Sequence, residues 1–232
     1  MVRTIYSFPE PKINNIFDDV YSPSEDSFLM IDYFRDNIDE NYFDGFELAK
    51  IKNILDMGTG TGIIAIFLQL IKKIVPKFSP QIYASDILKN AIKCAISNEN
   101  VNNLENKIEF IQSDLFKKFP SILKNSFNIL IFNPPYLPSF KFKNESWDKN
   151  NTDYCWNGGK EGFEVFLEFI RDVKPFIDPN QKFYIYYISS STTNLKKLND
   201  NLNIQGFKNT VLIKKHVFFE DIILNRLEKR ND

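Results

Sequence analysis

The feature that most constrains the fold of this 232-residue chain is an apolar run that ends in Asn-Pro-Pro-Tyr, at residues 127–136. Five of its first six side chains are apolar. Such a run is typical of a strand that is buried on both faces of a parallel sheet. Proline lacks a backbone N–H, fixes φ and keeps the preceding residue extended, so Asn133 and Pro134 would end the strand in a rigid turn. The sequence therefore predicts a central parallel strand with a preorganised polar loop at its carboxyl end.

The same turn suggests a chemistry. The carboxamide oxygen of Asn133 and the backbone carbonyl of Pro134 are two acceptors that would bind the two hydrogens of an NH2 group. Holding those hydrogens aims the weakly nucleophilic nitrogen at an electrophile, and the ring of Tyr136 offers a flat wall for a planar group. We therefore predict that Asn133, Pro134 and Tyr136 are catalytic. An ordinary proline-rich turn after a core strand would have the same sequence, so other motifs must separate the two interpretations.

The size and charge of the chain disfavour several classes of protein. We expect residues 1–232 to form one domain, with residues 1–20 as an N-terminal extension. The net charge of −1 gives no overall field for nucleic acid, and Cys94 and Cys155 lack the spacing of a zinc site. Because His216 is the only histidine, a Ser-His-acid triad and a histidine-ligated metal are also disfavoured. We expect no metal, no membrane span and a cytoplasmic or nuclear location.

Acidic residues end three predicted strands, in positions suited to a ligand that contains adenosine. Asp56 precedes a Gly-x-Gly-x-Gly turn at residues 58–62, where glycine allows a ligand to approach the backbone closely. A carboxylate there would attract a cation such as an amino group. Asp86 would accept hydrogen bonds from two ribose hydroxyls, which fits NAD as well as adenosine. Asp114 follows a third strand, residues 107–113, and would meet the adenine amino group.

Two further segments are expected near the site. A helix is predicted to begin with Ser22 or Ser24 as its cap. Its apolar side is predicted to consist of Phe28, Leu29, Ile31 and Phe34. The acids Glu25 and Asp26 would either favour the helix N-terminus or serve as ligands. A long aromatic segment, residues 137–157, is predicted to be a substrate-binding loop, because loops of that length in compact domains are usually functional.

In this order and spacing, the motifs resemble those of the Rossmann-like methyltransferases that use S-adenosylmethionine. The matching residues are Asp56, Gly58, Gly60, Gly62, Asp86, Asp114 and the turn at 133–136. Residues 20–29 and 156–162 resemble signatures of the HemK-related glutamine methyltransferases, in their short eukaryotic and archaeal branch. The resemblance implies an α/β fold of the Rossmann-like class I methyltransferase type. Its seven-stranded, mostly parallel sheet would have the order 3-2-1-4-5-7-6, with helices on both faces.

The resemblance also implies a role for each site residue. The residues expected to bind S-adenosylmethionine are Ser27, Asp56, Gly58, Gly60, Asp86, Asp114, Leu115 and Asn133. Those expected to bind the target amide are Asn133, Pro134, Pro135, Tyr136 and Trp156. In this assignment Asp56 and Gly58 contact the methionine end of the cofactor, with Ser27 close to it. Asp86 holds the ribose, while Asp114 and Leu115 bracket the adenine.

The reaction implied by the resemblance is N5-methylation of the glutamine in the Gly-Gly-Gln loop of a class I translation termination factor. Members of the short branch need a small zinc-binding activator protein, which is expected to add to the edge strand at residues 107–113. The alternative is a nucleic-acid amino methyltransferase, because the exocyclic amine of adenine presents the same NH2 group. The neutral charge, the small size and the lack of a target-recognition domain disfavour direct binding of nucleic acid.

Overall fold

The computed structural model describes residues 6–104, 107–139 and 153–230. Its centre is a sheet with the strands β1 (Asn53–Met57), β2 (Gln81–Asp86), β3 (Ile108–Gln112), β4 (Ile129–Phe132), β5 (Tyr184–Ser190), β6 (Phe207–Val217) and β7 (Glu220–Lys229). They lie in the order 3-2-1-4-5-7-6. The first five strands are parallel, and β7 runs antiparallel between β5 and β6. The predicted fold class and strand order are confirmed.

Helices cover both faces of this sheet. They are α1 (Glu25–Asp36), α2 (Ile63–Ile74), α3 (Lys89–Val101), α4 (Asp153–Trp156), α5 (Glu164–Asp172) and α6 (Leu195–Ile204). Successive strand residues point to opposite faces, so Ile54 and Ile129 join α1 and α2 in one core while Leu55 and Leu130 join α5 and α6 in the other. Within the described ranges, none of the helices combines the length and the apolar character needed to span a bilayer.

The apolar run of the sequence forms the middle of the sheet. Strand β4 pairs with β1 on one side and β5 on the other, and its four residues are buried. Before the strand starts at Ile129, the backbone N–H of Asn128 donates to the Asn53 carbonyl at 3.0 Å. The side-chain oxygen of Asn128 accepts hydrogen bonds from the backbone N–H groups of Lys52 (2.6 Å) and Asn53 (3.3 Å) at the start of β1. This clamp ties the residue before β4 to the start of β1.

Helix α1 corrects two predictions. Ser24 occupies the N-cap position, but its side chain makes no capping hydrogen bond. The hydroxyl of Ser22 instead accepts a hydrogen bond from the Asn15 side chain (2.9 Å), so neither serine caps the helix as predicted. Phe28 was also predicted on the buried side, yet it is 44% exposed. The buried side is instead formed by Asp26, Ser27, Leu29, Met30, Ile31, Tyr33 and Phe34.

The segment before α1 lies across α3. The Asn102 side chain accepts from the Lys12 N–H (2.9 Å) and donates to the Lys12 carbonyl (2.8 Å). One helical turn earlier, Asn98 accepts from the Asn14 N–H (2.9 Å). These hydrogen bonds hold extended backbone against a helix without strand pairing. The chain then continues to Tyr21, which lines the cavity described below.

Candidate active site

A cavity of about 510 Å³ opens at the carboxyl ends of β1, β2 and β4. This is the edge where ligands bind in open parallel sheets. The residues predicted for the site all line it, namely Ser27, Asp56, Gly58, Gly60, Asp86, Asp114, Leu115, Asn133, Pro134, Pro135, Tyr136 and Trp156. The structure therefore brings together motifs that are up to 129 residues apart in sequence.

The glycine turn after β1 has a backbone that other residues rarely adopt. Gly58, Gly60 and Gly62 all have positive φ, at 63°, 54° and 84°. At Gly62 a Cβ atom would also lie 2.9 Å from the Cβ of Ala95 in α3. The Gly60 N–H donates to the Asp86 carboxylate at 2.9 Å, which ties this turn to the end of β2. The turn is therefore fixed in shape and leaves its backbone open to a ligand.

Asp56 is buried and lines the cavity. One of its oxygens, Oδ2, accepts hydrogen bonds from the Thr59 hydroxyl (2.6 Å) and the Ala65 N–H (3.2 Å). Burial nevertheless raises the pKa of Asp56 to about 7, and the nearby Asp86 carboxylate adds to this effect. A cation beside Asp56 would reverse the shift by stabilising the ionised form. The site is thus suited to an ammonium group.

Asp86 organises the loop that follows β2. Its Oδ1 accepts from the Leu88 N–H (2.9 Å), and its Oδ2 accepts from the Gly60 N–H. Burial raises the pKa of Asp86, although hydrogen bonds to backbone N–H groups act in the opposite direction. Each carboxylate oxygen has a second lone pair, so Asp86 can still accept from a ligand hydroxyl.

Asp114 and Leu115 also line the cavity. The Asp114 carboxylate is half-exposed and bonded to the Lys117 ammonium at 2.5 Å, a partner that sequence reasoning did not identify. Leu115 has a φ of +43°, a left-handed conformation that is uncommon for residues other than glycine. Its side chain is buried in the core shared with α5 and α6. The turn after β3 is therefore held by packing on one side and by an ion pair on the other.

The side-chain oxygen of Asn133 is the most informative atom of the cavity. It is buried and has no hydrogen-bond partner among the described residues. Leaving a buried acceptor unpaired costs about 1–3 kcal/mol, so such an atom in a native structure calls for an explanation. A ligand N–H that enters the cavity would satisfy it. This is the feature expected of a preorganised site for an NH2 group.

A hydrogen-bonded cluster holds Tyr136 in place. Asp26 is only 2% exposed, and its carboxylate accepts from the hydroxyls of Tyr21 (3.0 Å) and Tyr136 (3.2 Å) and from the Ser27 N–H (2.6 Å). Burial, with the Asp26 charge, raises the pKa of Tyr136, so its phenol stays neutral and donates. The sequence left Asp26 open between helix stabilisation and ligand binding. The structure places it in the cavity, 110 residues from the tyrosine that it contacts.

The glycine-rich segment 156–162 packs behind the Asn-Pro-Pro-Tyr turn. The Leu137 N–H donates to the Trp156 carbonyl (3.1 Å), and the Gly158 N–H donates to the Leu137 carbonyl (3.0 Å). A Cβ atom on Gly158 would lie 2.5 Å from the Pro135 carbonyl oxygen. Trp156 is exposed and meets Tyr21 edge to face, with ring centroids 4.9 Å apart. Residues 140–152 of the predicted substrate-binding loop lie outside the described residues.

This fold and site together define a Rossmann-like methyltransferase. The family model of the methyltransferase small domain matches residues 39–147. The solved structure of the E. cuniculi Mtq2-Trm112 complex, responsible for methylation of the eRF1 translation termination factor, has a TM-score of 0.61 at 20% identity. The match covers 92% of this chain and 99% of that chain.

The relatives define the family more closely. A candidate protein N5-glutamine methyltransferase of Methanocaldococcus jannaschii is 31% identical over 89% of this chain and 90% of its own length. Human methyltransferase HEMK2 is 26% identical over 92% of this chain and 91% of its own length. The catalytic subunit mtq2 of the Schizosaccharomyces pombe eRF1 methyltransferase is 26% identical over 91% and 90%. This chain belongs to the HemK-related family of protein N5-glutamine methyltransferases.

Proposed function

We propose that this enzyme methylates the side-chain amide of the glutamine in the Gly-Gly-Gln loop of a class I translation termination factor. The observation that carries the proposal is the buried, unpaired oxygen of Asn133 at the carboxyl end of β4. An amide NH2 supplies the donor that this oxygen lacks. The relative from Schizosaccharomyces pombe, which is named for methylation of eRF1, supports the same substrate class.

We further propose S-adenosylmethionine as the methyl donor, because the donors and acceptors of the cavity fit it. It would supply an electrophilic methyl group on a sulfonium, whose sulfur–methyl bond breaks on transfer so that a neutral thioether leaves. Asp56, whose burial disfavours its own charge, would hold the ammonium group, with Ser27 close to the methionine end. Asp86 would accept from the ribose hydroxyls. Asp114 and Leu115 would bracket the adenine.

The chain's own residues would act mainly by orientation and electrostatics. Asn133 and the carbonyl of Pro134 would hold the two amide hydrogens, so that the nitrogen lone pair points at the methyl group. Pro135, Tyr136 and Trp156 would confine the planar amide. The nitrogen gains positive charge as its new bond to carbon forms, and the two acceptors stabilise that charge. One amide proton then leaves to solvent.

We also propose that a small zinc-binding activator protein docks on β3. Residues 137–157 would then bind the substrate. Strand β3 forms one edge of the sheet and pairs only with β2 among the described strands. Two of its apolar side chains, Phe110 and Ile111, are partly exposed. An apolar edge is open to strand addition unless it is covered. The Mtq2 chain of similar fold was solved in complex with Trm112.

The test is transfer of labelled methyl from S-adenosylmethionine with the activator present. The acceptors are a class I termination factor, its Gly-Gly-Ala variant, and duplex and single-stranded DNA. We expect label on the glutamine of the factor and none on the variant. Equal label on the variant, label on DNA, or label on none of the acceptors would overturn the proposal.

A further inference from the structure

A pair of aromatic side chains projects from the end of the β6–β7 hairpin. Phe218 and Phe219 form the turn between these strands, and they are 86% and 98% exposed. We call residues 217–220 the aromatic tip. Two adjacent phenylalanines in water stabilise no core. Exposed aromatic residues of this kind are enriched where proteins bind other proteins.

The backbone conformation of the aromatic tip also indicates a role in binding rather than in folding. Phe218 has a φ of +52° in a two-residue hairpin turn. Glycine, asparagine or aspartate is the usual residue at such a position, because a bulky side chain is strained there. A sequence selected only for folding would place glycine at residue 218. Phenylalanine is unfavourable here for both its exposure and its backbone conformation, and strain of this kind points to a function outside the fold.

The aromatic tip lies at the catalytic edge of the sheet. Ser190, the last residue of β5, pairs with Ile222 of β7, and the hairpin continues beyond that point to Val217 and Glu220. Strand β5 is the neighbour of β4, which leads into Asn133. With neighbouring strands about 4.8 Å apart, the tip lies roughly 10–15 Å along the edge from the amide-binding turn.

Contacts join the base of the tip to that turn. The Glu220 carboxylate accepts hydrogen bonds from the Ser190 and Thr192 hydroxyls. A Cβ atom on Gly162 would lie 2.8 Å from the Thr193 methyl group and 2.5 Å from the Tyr136 carbonyl oxygen. Burial and the Asp26 charge raise the pKa of Tyr136, and the Glu220 charge at the base of the tip adds to this effect. The hairpin is therefore continuous with the wall of the cavity.

The charges beside the tip favour an apolar partner over a phosphate backbone. Lys214 and His216 both contact Asp221, at 3.5 Å and 2.9 Å. Lys215 pairs with Glu25 at the start of α1. The lysines beside the tip are thus already paired with carboxylates, so the tip offers aromatic surface and little free positive charge.

We propose that the aromatic tip docks the protein substrate by inserting Phe218 and Phe219 into an apolar patch roughly 10–15 Å from the target glutamine. This inference rests on the proposed function, since its partner is the termination factor. Docking there would hold the factor while its glutamine enters the cavity. The tip is a substrate-positioning element and takes no part in the chemical step.

The test replaces the tip with a sequence that the turn itself prefers. Phe218→Gly relieves the positive φ, and Phe219→Ser removes the second ring. The matched control is Ile122→Ser with Ile204→Ser, which removes two side chains that are each 85% exposed. Both control residues precede the starts of strands, β4 and β6, so they lie toward the opposite edge of the sheet. Wild type and both variants are assayed as the full chain with its activator.

We expect the tip variant to raise KM for the termination factor about 10- to 100-fold, with kcat within about twofold. Its affinity for the factor, measured directly by a binding assay, should fall in proportion. Its melting temperature should stay equal or rise, whereas a purely structural tip would lower it. The isoleucine control should leave KM unchanged.

An unchanged KM in the tip variant would overturn the proposal. Loss of the activator complex, or weaker binding of DNA with KM for the factor unchanged, would also overturn it by assigning the tip to another partner. Failure of the proposed function gives a different result. In that case wild-type enzyme transfers no methyl to the factor, whatever residues occupy the tip.

Discussion

Gly158→Ala perturbs the amide-binding turn from behind and leaves the two proposed acceptors, the Asn133 side chain and the Pro134 carbonyl, unchanged in sequence. Gly158 is buried beneath the turn, and a Cβ atom built on it would lie 2.5 Å from the carbonyl oxygens of both Pro135 and Gly162. The φ of Gly158 is not positive, so alanine itself is unstrained there. The whole effect therefore comes from the two carbonyl groups that the new methyl would displace.

The size of the displacement sets the expected loss. Real Cβ atoms essentially never come closer than 3.0 Å to another heavy atom, and the optimum lies near 3.5 Å, so the Pro135 carbonyl must move by about 0.5–1 Å. Pro135 directly follows the Pro134 carbonyl that we propose as an acceptor for the amide. A misplacement of about 1 Å can lower a rate about 10²-fold, and overpacking of this kind costs about 1–3 kcal/mol of stability. We expect kcat to fall about 10²-fold while cofactor affinity changes little, because Asp56 and Asp86, which are proposed to bind the cofactor, lie on other strands, β1 and β2.

The assay compares kcat, cofactor affinity and thermal stability for Gly158→Ala and a control, Gly206→Ala. Gly206 has a φ of +89°, and no atom lies within 4 Å of the place that an alanine methyl would occupy, so alanine there adds backbone strain without a clash. It lies between α6 and the start of β6, away from the cavity. We expect the control to lose stability and keep its turnover. Full turnover in Gly158→Ala, or equal losses in both variants, would refute the reasoning.

Two further predictions concern carboxylates of the cavity. Because the folded pKa of Asp56, about 7, is above its ordinary value of 3.8, the free enzyme should lose stability as pH rises from about 4 to 7, by up to about 1.4 kcal/mol per pH unit. Melting temperatures across that range should fall for wild type and stay flatter for Asp56→Asn; parallel curves would contradict the assignment. Asp26→Asn should lower kcat about 10- to 100-fold, since hydrogen bonds to a charged group are worth about 1.5–3 kcal/mol. In a cycle with Tyr136→Phe the losses should be non-additive if Asp26 acts through that tyrosine, and simple addition would show that it does not.

The sequence predicted the parts of this molecule that local chemistry dictates. A continuous apolar run can only be a buried strand or buried helix segment, and the prolines after Asn133 decide in favour of a strand that ends there. The glycine turn after Asp56 is predictable for a similar reason, because glycine marks the positions of positive φ in the sequence itself. These local motifs carry the family resemblance, and the resemblance in turn predicts the strand order that the structure has. The structure also brings the predicted site residues to one cavity.

Long-range contacts were beyond such reasoning. No periodicity relates Asp26 to Tyr136, and no spacing indicates that Gly158 supports Pro135 from behind. The prediction for Phe28 is wrong because apolar character alone does not fix which side of a helix is buried; the buried side of α1 carries the polar Asp26 beside Met30. The exposure of the aromatic tip was also beyond prediction from the sequence. Its phenylalanines have the character of strand residues, and only the structure shows that they form an exposed turn.

Asn133 is proposed to be a preorganised acceptor for an amide NH2 group. Asn133→Ala tests it most directly, with Asn128→Ala as the control at the opposite end of the same strand. Asn128 is also buried, and it clamps the start of β1 through two backbone N–H groups, so its loss weakens the same strand without reaching the cavity.

The measurement is turnover on the termination factor beside cofactor affinity, for both variants at a temperature where each is folded. We predict that Asn133→Ala lowers kcat about 10²- to 10³-fold with cofactor affinity nearly intact, by comparison with the loss of one preorganised hydrogen bond to a developing charge. Asn128→Ala should lose stability and keep turnover. Turnover retained in Asn133→Ala, or turnover and cofactor affinity lost in the same proportion, would contradict the account.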